Sequence, residues 1–336
     1  MRPRRPAWLN ATAAVSILAL LGIALAGTLL SRAGGGGDAA ALVGYAQRTA
    51  LPPAQLIVAG ARTHRIVVLG DVPGSGAAKR VAAAAVDSMA LGPGLDVLVL
   101  DVDSALQPAI DAYLEAPQED AGILLSRPGA VPAANADDYL GIYRRVWQLN
   151  QRLGADRAIG ILAGGVPGWP PVRALAPGTE AERFARLGPE MARRIEDGVF
   201  ARNPGARVLA FVGGYQALKS GYGALSAGGG APMNARWLAA VLDGAHPGDV
   251  YSVIQDGPPE GVRQGVFTGY GGTLAYAVFR DGAKVAAPFG LTVGDPFRFL
   301  RQPIVSATSP GLRLIIEPAN YLLGDVVDGY IYLGPH

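Results

Sequence analysis

Short aliphatic and β-branched runs recur along this chain, separated by longer stretches whose apolar positions repeat every three or four residues. These two periods are those of strands and helices. The runs predict strands at Arg65–Leu69, Asp96–Leu100, Gly122–Leu125, Ala158–Leu162, Arg207–Val212 and Val250–Ile254. Between them, helices are predicted over Ala77–Met89, Leu106–Leu114, Asp137–Leu153 and Glu180–Asn203. In Asp137–Leu153, Tyr139, Leu140, Tyr143, Val146, Trp147 and Leu149 form one apolar face, with Arg144, Arg145 and Gln148 opposite. A helix of that kind packs on a sheet. Continuous apolar strands alternating with helices predict an α/β fold, a mostly parallel central sheet with helices on both faces. After Val212 the chain turns rich in Gly and Pro, with Gly228–Gly230 as a loop and strand-like runs at Leu274–Phe279, Leu312–Ile316 and Tyr330–Leu333. These close the same domain, and no internal repeat is evident.

The N-terminal pattern is different. No charged residue occurs from Trp8 to Leu30, and Arg2, Arg4 and Arg5 precede that stretch. A helix of this length crosses a hydrocarbon core about 30 Å thick, with the arginines on the cytoplasmic side. The rival reading is a cleaved signal peptide, for which Ala24-Leu25-Ala26 would serve as the cleavage site. The anchor is favoured because the apolar run continues through Thr28-Leu29-Leu30. Arg4-Arg5 hints at twin-arginine export, but Pro6-Ala7-Trp8 does not continue that signal. The expected organisation is therefore a cytoplasmic basic tip over 1–7, a transmembrane anchor over 8–30, a flexible linker over 31–50 containing Gly34–Gly37, and an α/β domain over 51–336 outside the cytoplasm, in the periplasm or at the cell exterior.

Composition narrows the chemistry. The chain has 336 residues, half of them apolar, enough for a full core. Its formal charge is +2, and subtracting Arg2, Arg4, Arg5 and Arg32 leaves −2 for the rest, so no polycation remains to hold nucleic acid. There is no cysteine, which excludes disulfides, thiolate metal sites, a cysteine nucleophile and a lipidated N-terminal cysteine. Lysine occurs only at Lys79, Lys219 and Lys284 while arginine is abundant, a bias read as genome composition.

The turn Gly70-Asp71-Val72-Pro73-Gly74-Ser75 after Ile66–Leu69 lies where open α/β sheets place their ligands. Gly70, Gly74 and Gly76 match the glycine spacing of short-chain dehydrogenases, and Tyr215-x-x-x-Lys219 matches their catalytic pair. The placement argues against that reading. Tyr215 follows a strand at once rather than lying inside a helix, and Pro73 has no N–H to offer a phosphate.

A second match runs from Arg65 to the C-terminus. The order of features resembles the erythromycin esterase-like superfamily, which also includes ChaN-like haem-binding lipoproteins. That resemblance rests on several segments. One is the Gly70–Ser75 turn, beside the family's Gly-Glu-x-His-Gly-Thr/Ser, and another is Val97–Leu100 ending in Asp101, where relatives have Glu. Further on come Gln107 with Ala109–Leu114, Tyr143–Asn150 with Ile159–Leu162, and Gly165–Pro170 in place of Asp-Pro-Pro. The last are Gly213-Gly214-Tyr215-Gln216 in place of Gly-x-x-His, and the ending Asp328–Pro335.

The resemblance implies that the family's working positions fall here on Asp71, Pro73, Asp101, Val166 and Gln216. Glu to Asp shortens a carboxylate by one methylene, which upsets proton-transfer reach. Pro73 and Gln216 can neither shuttle a proton near neutral pH nor offer an imidazole to a metal or haem iron. His64, His246 and His336 do not restore that loss, since each reads as a solvated surface residue.

Other candidates have structural readings beside the functional ones. Asp101 and Asp103 suit either a divalent cation or a helix cap, and the cap is favoured. Ser75 has no visible histidine partner and reads as a turn or cap residue. Trp169 is a pocket wall or a core plug, and Tyr215, Gln216 and Lys219 either line the cleft or lie exposed at a helix start. The expectation is an anchored domain without catalysis that binds an unknown small molecule or an envelope protein. Asp71, Asp101 and Gln216 are its degenerate catalytic positions, and Gly70, Ser75, Asp103, Trp169, Tyr215 and Lys219 its ligand-binding candidates. No cofactor and no metal are expected. The alternatives are an ester hydrolase in which Asp71 and Asp101 activate water, and a nucleotide-dependent oxidoreductase.

Overall fold

A computed structural model describes residues 36–72, 74–131, 135–168, 177–219, 223–227, 233–257, 278–294, 312–315 and 323–335. A seven-stranded sheet forms the centre, in the order β3-β2-β4-β1-β7-β10-β8. Its strands are β1 (Ile66–Asp71), β2 (Val97–Asp103), β3 (Gly160–Gly165), β4 (Val208–Gly213), β7 (Val250–Asp256), β8 (Phe289–Thr292) and β10 (Gly329–Tyr332). Every neighbouring pair is parallel except β10 with β8. A separate antiparallel sheet holds β5 (Gly223–Ala227), β6 (Met233–Ala235) and β9 (Leu312–Ile315), in the order β6-β5-β9.

Strand side chains alternate between two cores, as period two requires. Val67 and Leu69 face one side, with α2 (Pro53–Thr63), α3 (Gly76–Leu91), α4 (Gln107–Glu115), α5 (Ala121–Leu125) and α6 (Ala136–Leu153). Ile66 and Val68 face the other side, with α1 (Gly36–Thr49), α7 (Pro177–Ile195), α8 (Leu238–Ala245) and α9 (Leu323–Val326). Both faces are covered, so the central strands read as unbroken apolar runs. The sequence-predicted α/β class with a mostly parallel sheet therefore holds.

Three expectations differ from the structure. Gly122–Leu125 is not a strand but part of α5, because the Asp120 carboxylate accepts from the Gly122 N–H at 2.9 Å and starts a helical turn. Residues 36–49, expected within a flexible linker, form α1, whose Leu42 and Ala46 are buried four positions apart. The glycine and alanine around them mask that narrow stripe. Of Leu274–Phe279, only Val278 and Phe279 are described, and they begin a π-helical turn over Val278–Gly282 with Phe279 in the core. A second π-helical turn, Glu196–Phe200, ends the helix predicted over Glu180–Asn203. The expected span 8–30 lies outside the described residues, among which no helix is long and apolar enough to cross a membrane.

Helix α2 is held close to β7 by Gly60, where a Cβ would run into the Tyr251 ring. Gly60→Ala should therefore lower unfolding stability by about 1–3 kcal/mol. Urea denaturation checks this as a lower midpoint with an unchanged slope.

Candidate functional site

The carboxyl ends of β2, β4, β1 and β7 meet at the middle of the sheet, the usual ligand edge of parallel α/β folds. Asp71 ends β1 and Asp101 lies near the end of β2, with β4 between them. Two strand spacings separate their backbones by about 10 Å.

Asp71 is not a free carboxylate. Lys79, on the first turns of α3, donates to its Oδ1 at 2.8 Å, its Oδ2 at 2.9 Å and the Val72 carbonyl at 3.0 Å. An ammonium has three protons, and these bonds use them all. The Lys79 and Asp71 side chains are 3% and 17% exposed. Burial raises the Asp71 pKa above its ordinary value, and the Lys79 charge works against that rise.

Asp101 lies beside β4, its Oδ2 accepting from the Gly213 N–H at 3.4 Å. Tyr139, from the first turn of α6, packs on Phe211 and Tyr143 at ring separations of 6.4 and 5.9 Å. Burial pushes its phenol well above the ordinary range, and Tyr143, Asp71 and Asp101 add to that shift. Tyr139 thus holds its proton more tightly than an exposed tyrosine and lies within electrostatic reach of both acids.

The remaining candidates have structural partners. Ser75, fully buried, caps α3 by accepting from the Ala78 N–H at 3.3 Å. Gly70 lets β1 approach the next turn, since a Cβ there would lie 3.0 Å from Gly214 Cα. Asp103 accepts from the Ala105 and Gly168 N–H groups at 2.8 and 2.7 Å, a cap with no oxygen left over for simple display.

Gln216 is buried on the opposite face, its Oε1 accepting from the Leu238 N–H at 3.0 Å beneath α7 and α8. Its Nε2 is buried without a hydrogen-bond partner. Tyr215 stacks on Trp237 at 5.8 Å. Lys219 is paired with Asp328 at 2.8 Å and Asp243 at 3.5 Å, so its charge is engaged away from Tyr215. Trp169 lies outside the described residues.

Structure thus brings Asp71 and Asp101 into one neighbourhood and sends Gln216, Tyr215 and Lys219 elsewhere. It adds Lys79 and Tyr139, which sequence reasoning assigned to helix formation. A signal for Lys79 was present in the rarity of lysine. Two of the three lysines, Lys79 and Lys219, hold aspartates at well-covered positions, while Lys284 is exposed.

Neither described histidine reaches this edge. His64 precedes β1, where its Nδ1 lies 2.9 Å from the Gly60 carbonyl and its ring 5.3 Å from Tyr251. His246 precedes β7 and contacts Glu196 Oε1 through Nε2 at 2.6 Å. Both are engaged at the amino-terminal edge rather than simply solvated, His64 by a carbonyl one turn back and His246 by a carboxylate from a segment remote in the chain. A transition metal or haem at the carboxyl edge would find no imidazole or thiolate there among the described residues, so the donors present do not fit those groups.

With this geometry in view, comparison with solved structures gives the fold. Over 83% of this chain and 91% of the other, the protein is similar to a mutant of the erythromycin esterase EreC in its open conformation, at 11% identity and a TM-score of 0.50. It is similar to a Bacillus cereus protein at 9% identity and a TM-score of 0.54, over 88% and 97% of the two chains. It is also similar to a succinoglycan biosynthesis protein at 9% identity and a TM-score of 0.58, over 90% and 98%. At such identities the likeness shows the erythromycin esterase-like fold and nothing finer. No family model matches the sequence, and no curated protein does.

Removing Lys79 leaves a carboxylate buried without its cation. Lys79→Met should cost about 3–5 kcal/mol near pH 7. An acid with a raised folded pKa is stabilising below its unfolded value and loses that contribution as pH rises through the folded one. The gap between variant and parent should therefore narrow as pH falls toward about 4. Paired denaturation curves across that range test the sign.

Proposed function

We propose that this chain is a single-pass, membrane-anchored domain on an erythromycin esterase-like fold that faces outside the cytoplasm and acts by binding rather than by catalysis. The observation that carries this reading is the saturation of Asp71 by Lys79. A general base must be free to take a proton, and a carboxylate clamped through both oxygens by a buried ammonium is a poor one. The position of both described histidines at the opposite edge of the sheet supports the same reading. The ligand is a small molecule or an envelope protein reaching the carboxyl edge near Asp101 and Tyr139. The bilayer is contacted through 8–30.

A hydrolase is the second reading, favoured by one observation. Asp71 and Asp101 lie at the ends of strands two places apart at the same edge of the sheet, with Tyr139 within electrostatic reach of both, an arrangement in which water could be activated. Gln216 gives this reading no help, since its oxygen is committed to α8.

The two readings separate in an esterase assay of the full chain in mild detergent, with p-nitrophenyl acetate and butyrate as substrates. Binding without catalysis predicts no release above that of an Asp71→Asn/Asp101→Asn double variant. Turnover that vanishes in the double variant establishes the hydrolase.

Anchoring predicts that the intact chain stays in the membrane pellet after alkaline carbonate washing, and that a chain lacking 8–30 moves to the supernatant. Recovery of the intact chain in the supernatant would count against the anchor.

A further inference from the structure

Strand β3 is an edge of the seven-stranded sheet, and its inner side pairs with β2. Its outward-facing backbone groups belong to alternate positions, including Ile159 just before the strand, Ile161 and Ala163. Such a row is a ready template for another strand, and the commonest available strand is the same one in a second copy.

Here the row is occupied by side chains. The Asn150 amide, on α6, donates to the Ile159 carbonyl at 2.9 Å and accepts from the Ile159 N–H at 2.7 Å. Gln107, at the start of α4, donates to the Ile161 carbonyl at 2.8 Å and accepts from the Ala163 N–H at 2.8 Å. The Gln107 contacts reproduce the pair of bonds that one residue of a parallel neighbour makes. Gln107 also donates to Asp111 Oδ1 at 2.8 Å, one turn along α4, which fixes which end of the amide faces which backbone group.

The opposite edge is treated alike. Leu51 exchanges both backbone bonds with Gly290 of β8, at 2.9 and 2.7 Å, and the Tyr45 hydroxyl donates to the Thr292 carbonyl at 2.9 Å.

We propose that Gln107 and Asn150 act as a surrogate strand, two side-chain amides that close the β3 edge and keep a second copy of this chain from pairing there. The proposal concerns the sheet edge and holds whether the carboxyl-edge site binds or catalyses.

Two variants of the full chain in mild detergent test it by light scattering after size exclusion. Gln107→Ala/Asn150→Ala opens the edge and should raise the protein mass about twofold or more with concentration. Gln107→Lys/Asn150→Lys loses the same bonds but places charge on the edge, and should keep the parent mass. A monomeric alanine pair, or equal association by both variants, overturns the proposal. In the parent protein, hydrogen exchange gives a reading that needs no variant. The Ile159 and Ala163 amides should exchange at least about 100-fold more slowly than unpaired amides. Fast exchange at both overturns the idea as well.

Discussion

The buried pair of Lys79 and Asp71 is the constraint on which the centre of this molecule depends. It joins the end of β1 to the first turns of α3, and so fixes the turn from which any ligand would be met. Its value is not that of a strong attraction. Taking both charges out of water offsets most of the Coulomb gain, and an apolar pair of similar shape could be as stable. What the pair imposes is a cost on every alternative, because neither partner can be moved or discharged without leaving the other uncompensated. The same bonds that fix the turn also engage both oxygens of its carboxylate.

Around that contact the fold keeps the means to build a site. Parallel strands deliver their last residues to one edge whatever those residues are, so the location survives when the side chains change. Asp101 beside Gly213 and the nearby Tyr139 keep polar groups near that edge. Fold likeness to an esterase therefore says where to look and leaves open what is done there.

The legible part of the sequence was its periodicity. The β1, β2, β3, β4 and β7 runs were each placed to within a few residues, because strands covered on both faces must be apolar throughout. Gly122–Leu125 failed for a reason of the same kind. Four apolar residues fit either element, and the capping Asp120 decides the matter by a single hydrogen bond. Helix α1 was hidden because glycine and alanine dominate it and only Leu42 and Ala46 mark its buried side. In the site, Asp71 and Asp101 were found from the strand ends they occupy. Lys79 and Tyr139 were not, since a lysine and a tyrosine on amphipathic helices look like surface and core until the strand ends beside them are known.

By itself the sequence determined the class of fold, the absence of thiol chemistry, the absence of histidine from the turns after β1 and β4, and an uncharged stretch long enough to span a bilayer. These follow from composition and period, which need no partners to be read. The tertiary structure alone decided that Asp71 is spoken for, that Gln216 and Lys219 belong to the other face, that His246 meets Glu196, and that two amides seal the β3 edge. Each of those depends on a hydrogen bond or ion pair between residues on different elements of the fold. Such a bond is set by a few tenths of an ångström in space, and no spacing along the sequence encodes it.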